Sequence, residues 1–214
     1  MLKKLIPLAL FLSLTSAASA QISKGSLFLG GQISASKSES EEGLFSDPRK
    51  SHGFLVMPAV GTALKENLVL GVELLYGSHE IKYSNFHEQD TRWIGGGVFA
   101  RRYVPLTKRF YFFGQAKAAY VNSESEQGQG LSRKETEMHE VQLSVYPGVS
   151  LALTKAFHLE AGFSDLVAFN YQKGKTTETA PSAPTVKSAH KGFGFSTNVS
   201  GSNIFLGMRF IIPR

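Results

Sequence analysis

Apolar and polar residues alternate one for one along much of this chain, and no apolar run beyond residue 20 is long enough to cross a membrane as a helix. The pattern organises residues 57–77. There Leu68, Leu70, Val72, Leu74 and Tyr76 form one face, and Val69, Gly71, Glu73, Leu75 and Gly77 the other. The stretch recurs loosely at 146–166, where Pro58 aligns with Pro147, Val60 with Val149, Ala63-Leu64 with Ala152-Leu153 and Leu70 with Leu159. Each copy reads as a strand, a tight polar turn and a second strand. A soluble sandwich turns the apolar face of such a strand to a core, whereas a membrane barrel turns it to lipid. One hairpin leaves both open.

The spacing of the strands separates them. Eight candidates follow Gln21, at 25–36, 52–63, 68–80, 92–104, 109–121, 138–153, 157–171 and 202–212. Each reaches the ~9–11 residues that a tilted strand needs to cross a bilayer, against about 5 or 6 in most soluble strands. Strands two and three, four and five, and six and seven are joined within a few residues, near 64–67, 105–108 and 154–156. The other links, 37–51, 81–91, 122–137 and 172–201, are long and polar. Short links therefore alternate with long ones, which gathers every short turn and both termini at one end. An even strand number with that asymmetry predicts an all-β fold, an eight-stranded antiparallel up-and-down transmembrane β-barrel.

The first twenty residues read as an export signal. Lys3 and Lys4 precede the apolar run Leu5 to Leu14, and Ala18-Ser19-Ala20 supplies small residues for cleavage before Gln21. Residues 21–214 are then expected to be one barrel domain. The chain has no cysteine, which excludes disulfide staples and a cysteine-borne lipid. Its 23 basic and 17 acidic residues form no basic block, so no nucleic-acid partner is expected. The 16 Phe, 7 Tyr and 21 Gly suit a barrel wall.

Several segments also carry a resemblance: Phe99-Ala100-Arg101-Arg102-Tyr103-Val104-Pro105-Leu106 followed by Phe112-Phe113-Gly114-Gln115, Pro147-Gly148-Val149 with Leu159-Glu160 beyond its turn, and the closing run Asn203 to Phe210. Over essentially all of 21–214 the chain resembles the outer-membrane β-barrel family common in Bacteroidetes, similar in architecture to the eight-stranded transmembrane domain of outer-membrane protein A. The resemblance implies a bacterial outer-membrane protein. The chain departs from a terminal aromatic by ending Phe210-Ile211-Ile212-Pro213-Arg214.

Facing follows from the alternation. Lipid is expected to meet Ile204, Leu206, Met208, Phe210 and Ile212; Leu27, Leu29, Gly31 and Ile33; and Val141, Leu143, Val145, Pro147 and Val149. The inward set leaves a polar lumen in which Glu73 and Glu160 pair with Lys117, Arg209 and one of Arg101 and Arg102. Eight strands leave an interior that side chains fill, so Glu73, Glu160, Arg101, Lys117 and Arg209 are read as a structural charge network. A gate passing small solutes is the alternative. Two aromatic girdles are expected, with Tyr103, Phe110, Phe112, Phe157 and Phe210 at the short-turn end and Tyr76, Trp93, Tyr120, Phe169 and Tyr171 at the other. Pro58 and Pro147, inside strands, are read as bulge positions.

No catalytic, metal or cofactor signature emerges. The six histidines, at 52, 79, 87, 139, 158 and 190, lack zinc-site spacing. Ser78-His79-Glu80 and His139-Glu140 are the spots where a rim triad like that of lipid-modifying barrels could assemble. The expected protein is a small, monomeric, non-enzymatic outer-membrane barrel with a membrane-structural or surface-interaction role. A narrow, porin-like pore and a lipid-modifying enzyme are the alternatives. Its expected partners are outer-membrane lipid, the barrel-assembly machinery and an external ligand at loops 37–51, 81–91, 122–137 and 172–201.

Overall fold

The computed structural model describes residues 22–40, 49–83, 87–129, 131–163, 166–181, 183–197 and 204–213. The export signal read at 1–20 lies outside them, as do Glu41, Glu42 and Asp47 of the first long link. The described residues form the strand segments β1 (Leu27–Ser40), β2 (Arg49–Lys65), β3 (Leu68–Tyr83), β4 (His87–Pro105), β5 (Phe110–Gln129), β6 (Ser132–Ala152), β7 (Phe157–Phe163), β8 (Val167–Ala180), β9 (Ala183–Thr197) and β10 (Ile204–Ile212). From β1 to β6 each strand pairs antiparallel with the next. The inner part of β6 pairs with β7 and its outer part with β8. β10 joins β7, β9 joins β8, and β10 closes the ring on β1. Thus β7 with β8, and β9 with β10, are single staves, and the molecule is a closed eight-stranded antiparallel barrel.

The short turns gather at one end and share a local design. In the β2–β3 turn, Asn67 adopts φ 58°, a left-handed conformation that asparagine tolerates. The other two turns repeat the sequence Leu-Thr-Lys-X-Phe, at 106–110 and 153–157. In each the threonine hydroxyl accepts from the phenylalanine N–H, Phe110 N to Thr107 Oγ1 at 3.1 Å and Phe157 N to Thr154 Oγ1 at 2.9 Å.

At the opposite end the strands outrun the membrane. β5 has 20 residues and β6 has 21, about twice what a crossing needs. Most of what reads as long loops at 81–91, 122–137 and 172–201 is therefore paired β-hairpin, and β9 falls wholly within one of them. Once both faces of a strand are wet, Ser, Thr, Glu and Lys erase the apolar alternation while the backbone ladder continues. Ion pairs stitch this outer collar: Lys82 with Glu80 and Glu88, Arg92 with Asp90, and Arg133 with Glu126 and Glu135.

Besides one-residue shifts between Ala63 and Lys65 against β3 and between Glu178 and Ala180 against β9, two irregular places in the wall shape the barrel. Gly148 faces Gly162 whereas Val145 faces Val167, so three steps along β6 match five along its partner stave, and Pro147 lies at that step. Pro58 differs from its expected role. It keeps register with Gly31 of β1, and the ladder to β3 skips Met57 and Pro58 without a shift, because proline lacks the N–H and no residue is inserted. The second irregularity is the closing seam. β1 pairs with β10 from Leu27 to Gln32; beyond that, among the described residues, β1 pairs only with β2, and β9 only with β8.

The outer surface carries the apolar band expected of a lipid-facing wall. Leu70, Val72, Leu74 and Tyr76 of β3, Leu143, Val145 and Val149 of β6, and Ile204, Leu206, Met208 and Phe210 of β10 are all exposed. Unpaired backbone groups are costly in lipid, so a closed ladder beneath such a band is a membrane-spanning design. The girdles need two corrections. Tyr103 is buried in the lumen, and Trp93, sharing the parity of Phe99 and Arg101, points inward across from Gly77.

Candidate functional site

The lumen near the short turns is filled by side chains. The segment preceding β1 folds under the barrel, where Ile22 is buried and its N–H donates to Asn67 Oδ1 at 2.9 Å. Inward residues of several strands then stack upward. Ile211, Tyr111 and Ala152 are buried low in the lumen, and His158 lies against Ser150 Oγ at 3.1 Å and the Tyr111 ring at 5.6 Å.

Above them Glu160 is the centre of a buried ion cluster. Its side chain is 0% exposed and that of Arg101 1%. Arg101 Nη1 donates to Glu160 Oε2 at 2.6 Å, the Tyr103 hydroxyl donates to Glu160 Oε1 at 2.8 Å, and Arg101 Nε donates to Gln115 Oε1 at 2.7 Å. Arg209 Nε lies 3.1 Å from Glu160 Oε2 but is not aligned for a hydrogen bond; its Nη1 donates to the Met208 carbonyl. The guanidinium of Arg101 is boxed by rings, 4.2 Å from the centroid of Phe113, 5.3 Å from Phe28 and 6.0 Å from Phe99. Such contacts favour a desolvated cation. Gly71 and Gly148 make room for the box, since a Cβ on either would collide with the ring of Phe99 or Phe113.

Of the five residues read as a lumenal network, the structure brings Arg101, Arg209 and Glu160 together and places Glu73 with Lys117, 3.4 Å apart, as a separate pair. Arg101 points inward and Arg102 outward. Tyr103, Gln115 and the aromatic box are the members that sequence reasoning missed. The filling is accordingly aromatic as well as polar. The parity of β4 and β5 held the signal, since Phe99, Arg101 and Tyr103 alternate on one face and Tyr111, Phe113 and Gln115 on the next.

Beyond the cluster the lumen widens into a cavity of about 480 Å³, lined by Gln32, Met57, Glu73, Lys117, Gln142 and Tyr146 and reaching Ile33 and Leu206 at the seam. No group of three metal-ligating side chains occurs among the described residues. Ser78 and Glu80 lie on the outer face of β3 and His79 on the inner one, as do His139 and Glu140 of β6 respectively. Neither set converges, because neighbours on a strand point to opposite sides.

Solved structures resemble the chain in fold. The crystal structure of the outer membrane protein OprG from Pseudomonas aeruginosa aligns with a TM-score of 0.53 at 11% identity, over 90% of this chain and 98% of that one. Neisserial surface protein A (NspA) aligns with a TM-score of 0.40 at 17% identity, over 91% and 99%. The translocator domain of the autotransporter NalP from Neisseria meningitidis gives 0.41 at 10%, over 97% and 93%. No family model and no curated protein sequence matches. With the apolar outer band and the closed ladder, the likeness to OprG shows the fold of a membrane-spanning β-barrel.

Proposed function

We propose that this outer-membrane protein is a sealed, monomeric, non-enzymatic barrel whose role is to hold a collar of β-hairpins at the cell surface for contact with an external partner. The observation that carries the reading is the layer of Glu160, Arg101, Arg209 and Tyr103 ringed by Phe28, Phe99 and Phe113. It supports a sealed lower lumen, because Glu160 is held by Arg101 and Tyr103 and the rings pack around them, with Arg209 left as one excess cation. The charged network is then structural, fixing how opposite walls of the barrel meet. Kinship with the Bacteroidetes barrels rests on the strand motifs around Arg101, Pro147 and Phe205 and belongs to the same proposal.

Planar-bilayer recordings of the refolded full chain test it. Wild-type protein is expected to give no unitary conductance, and resolved steps overturn the sealed reading. The narrow-pore alternative has one observation in its favour, the cavity above the cluster. For that reading Glu73→Ala, which removes a charge from the cavity wall, is expected to alter the steps. The enzyme alternative predicts a change in outer-membrane lipid mass on overexpression, and the opposed facing of Ser78 and His79 speaks against it.

A further inference from the structure

Three cross-strand rows run across the outer face of β5, β6, β8 and β9. The lowest is Ala118, Leu143, Phe169 and Phe195; next comes Tyr120, Val141, Tyr171 and Phe193; above it lies Asn122, His139, Lys173 and Lys191. The first two rows are apolar and aromatic. Phe169 and Phe195 pack at 4.8 Å, and Phe193 is 91% exposed, the largest value among the described large apolar residues. Lys173 and Lys191 therefore occupy the first outward positions beyond the lipid-facing band, at the level of lipid head groups.

The two lysines face each other directly across the ladder, an arrangement of like charges that destabilises a strand pair. Elsewhere in the collar a like-charge pair is offset. Lys50 opposite Lys82 is flanked by Glu39, across the ladder from Lys50, and by Glu80 and Glu88, both ion-paired to Lys82. Among the described residues Lys173 and Lys191 have no carboxylate within ion-pair distance. The nearest on their face, Glu137, lies across from Lys175 and 3.3 Å from His139, which also meets the Tyr120 hydroxyl. Lys175 and Lys187 extend the basic face outward.

We propose that Lys173 and Lys191 bind the phosphate of a phosphorylated outer-leaflet lipid whose acyl chains lie against Phe169, Tyr171, Phe193 and Phe195. The phosphate supplies the missing counter-charge, the chains cover the exposed Phe193, and an ammonium serves as a point-charge phosphate ligand. β9 has no neighbour on its far side among the described residues, so a lipid reaches this face from the front and from the seam. The site lies outside the lumen and is independent of whether the barrel conducts.

Native mass spectrometry of the full chain, with bis-phosphorylated lipid A and with the same lipid after phosphate removal, tests it. Wild type is expected to retain the phosphorylated lipid preferentially, and Lys173→Gln/Lys191→Gln to weaken retention on the order of tenfold. Lys82→Gln, in the charge-paired part of the collar, is expected to leave it unchanged. Heat-dependent electrophoretic mobility confirms that each variant is folded. Equal binding of the two lipids, or equal loss in Lys82→Gln, overturns the site. Displacement of the lipid by millimolar inorganic phosphate, with the same loss in the double variant, overturns the assignment to a lipid.

Discussion

Glu160 meets two guanidiniums and a phenol, and its place explains why so much of the lumen is aromatic. A carboxylate taken out of water needs its charge and its lone pairs satisfied together. Arg101 and Tyr103 satisfy it from β4, and Arg209 adds charge without a good hydrogen bond. Replacing Glu160 with Gln leaves two buried cations without their partner, and destabilisation of about 3–5 kcal/mol is expected. Arg209→Met is expected to cost clearly less, since the remaining Arg101–Glu160 pair keeps its hydrogen bonds. Urea titration in detergent micelles measures both, and equal midpoints for wild type and Glu160→Gln would contradict the assignment. Gly148→Ala pushes a methyl into the Phe113 ring and is expected to cost about 1–3 kcal/mol. Much of this layer was legible in advance: strand parity alone puts Glu160 and Arg209 on the inner face. Which of Arg101 and Arg102 joins them was not, because adjacent residues differ by one step of register. That Glu73 and Lys117 form their own pair is likewise a matter of height along the barrel, which sequence spacing does not encode.

The two Leu-Thr-Lys-X-Phe turns are the elements that set register at the closed end. Thr107→Ala and Thr154→Ala each remove a side-chain hydrogen bond to the turn, and a loss of about 1 kcal/mol apiece is expected from the same titration. In the collar, outside the membrane-spanning segments, a hydrogen bond from Lys82, aided by its charge, holds the half-buried carboxyl of Glu80 below the ordinary glutamate range. A depressed value means that the pairing is present above the usual carboxylate pKa and is lost as pH falls through the lower folded value. Carboxyl NMR titration should find Glu80 titrating low in wild type and near normal in Lys82→Gln; no difference contradicts the pairing. Strand number and the placing of short and long links were readable from the sequence because lipid imposes apolar alternation on each crossing. The extensions were not. Beyond the bilayer Lys175-Thr176-Thr177-Glu178 and Val186-Lys187-Ser188-Ala189 carry no apolar alternation, so nothing but the backbone ladder marks them as strands. Pro58 was misread because a missing N–H leaves a gap in a ladder as readily as it forces a bulge.

At the scale of the molecule, the barrel divides into a filled half near the short turns, an open cavity in the middle and a hydrated collar of hairpins. Residues 126–135 pair with one another at the tip of the β5–β6 hairpin, so removing them is expected to leave a heat-modifiable barrel with an unchanged lower lumen. The division also explains why a chain of modest hydrophobicity is a membrane protein: its apolar residues are divided between one outward band and the filling of the lower lumen. The measurement that tests this most directly exploits the absence of native cysteine. Single spin-labelled cysteines placed through the band at Leu74, Leu143 and Leu206, and in the collar at Glu124 and Thr177, are compared in lipid vesicles for collision with oxygen and with a water-soluble nickel complex. The band positions are expected to be reached by oxygen and shielded from nickel, and the collar positions to show the reverse. Nickel access at Leu143 and Leu206 equal to that at Glu124 would mean that the apolar face does not meet lipid, and would contradict the membrane barrel itself.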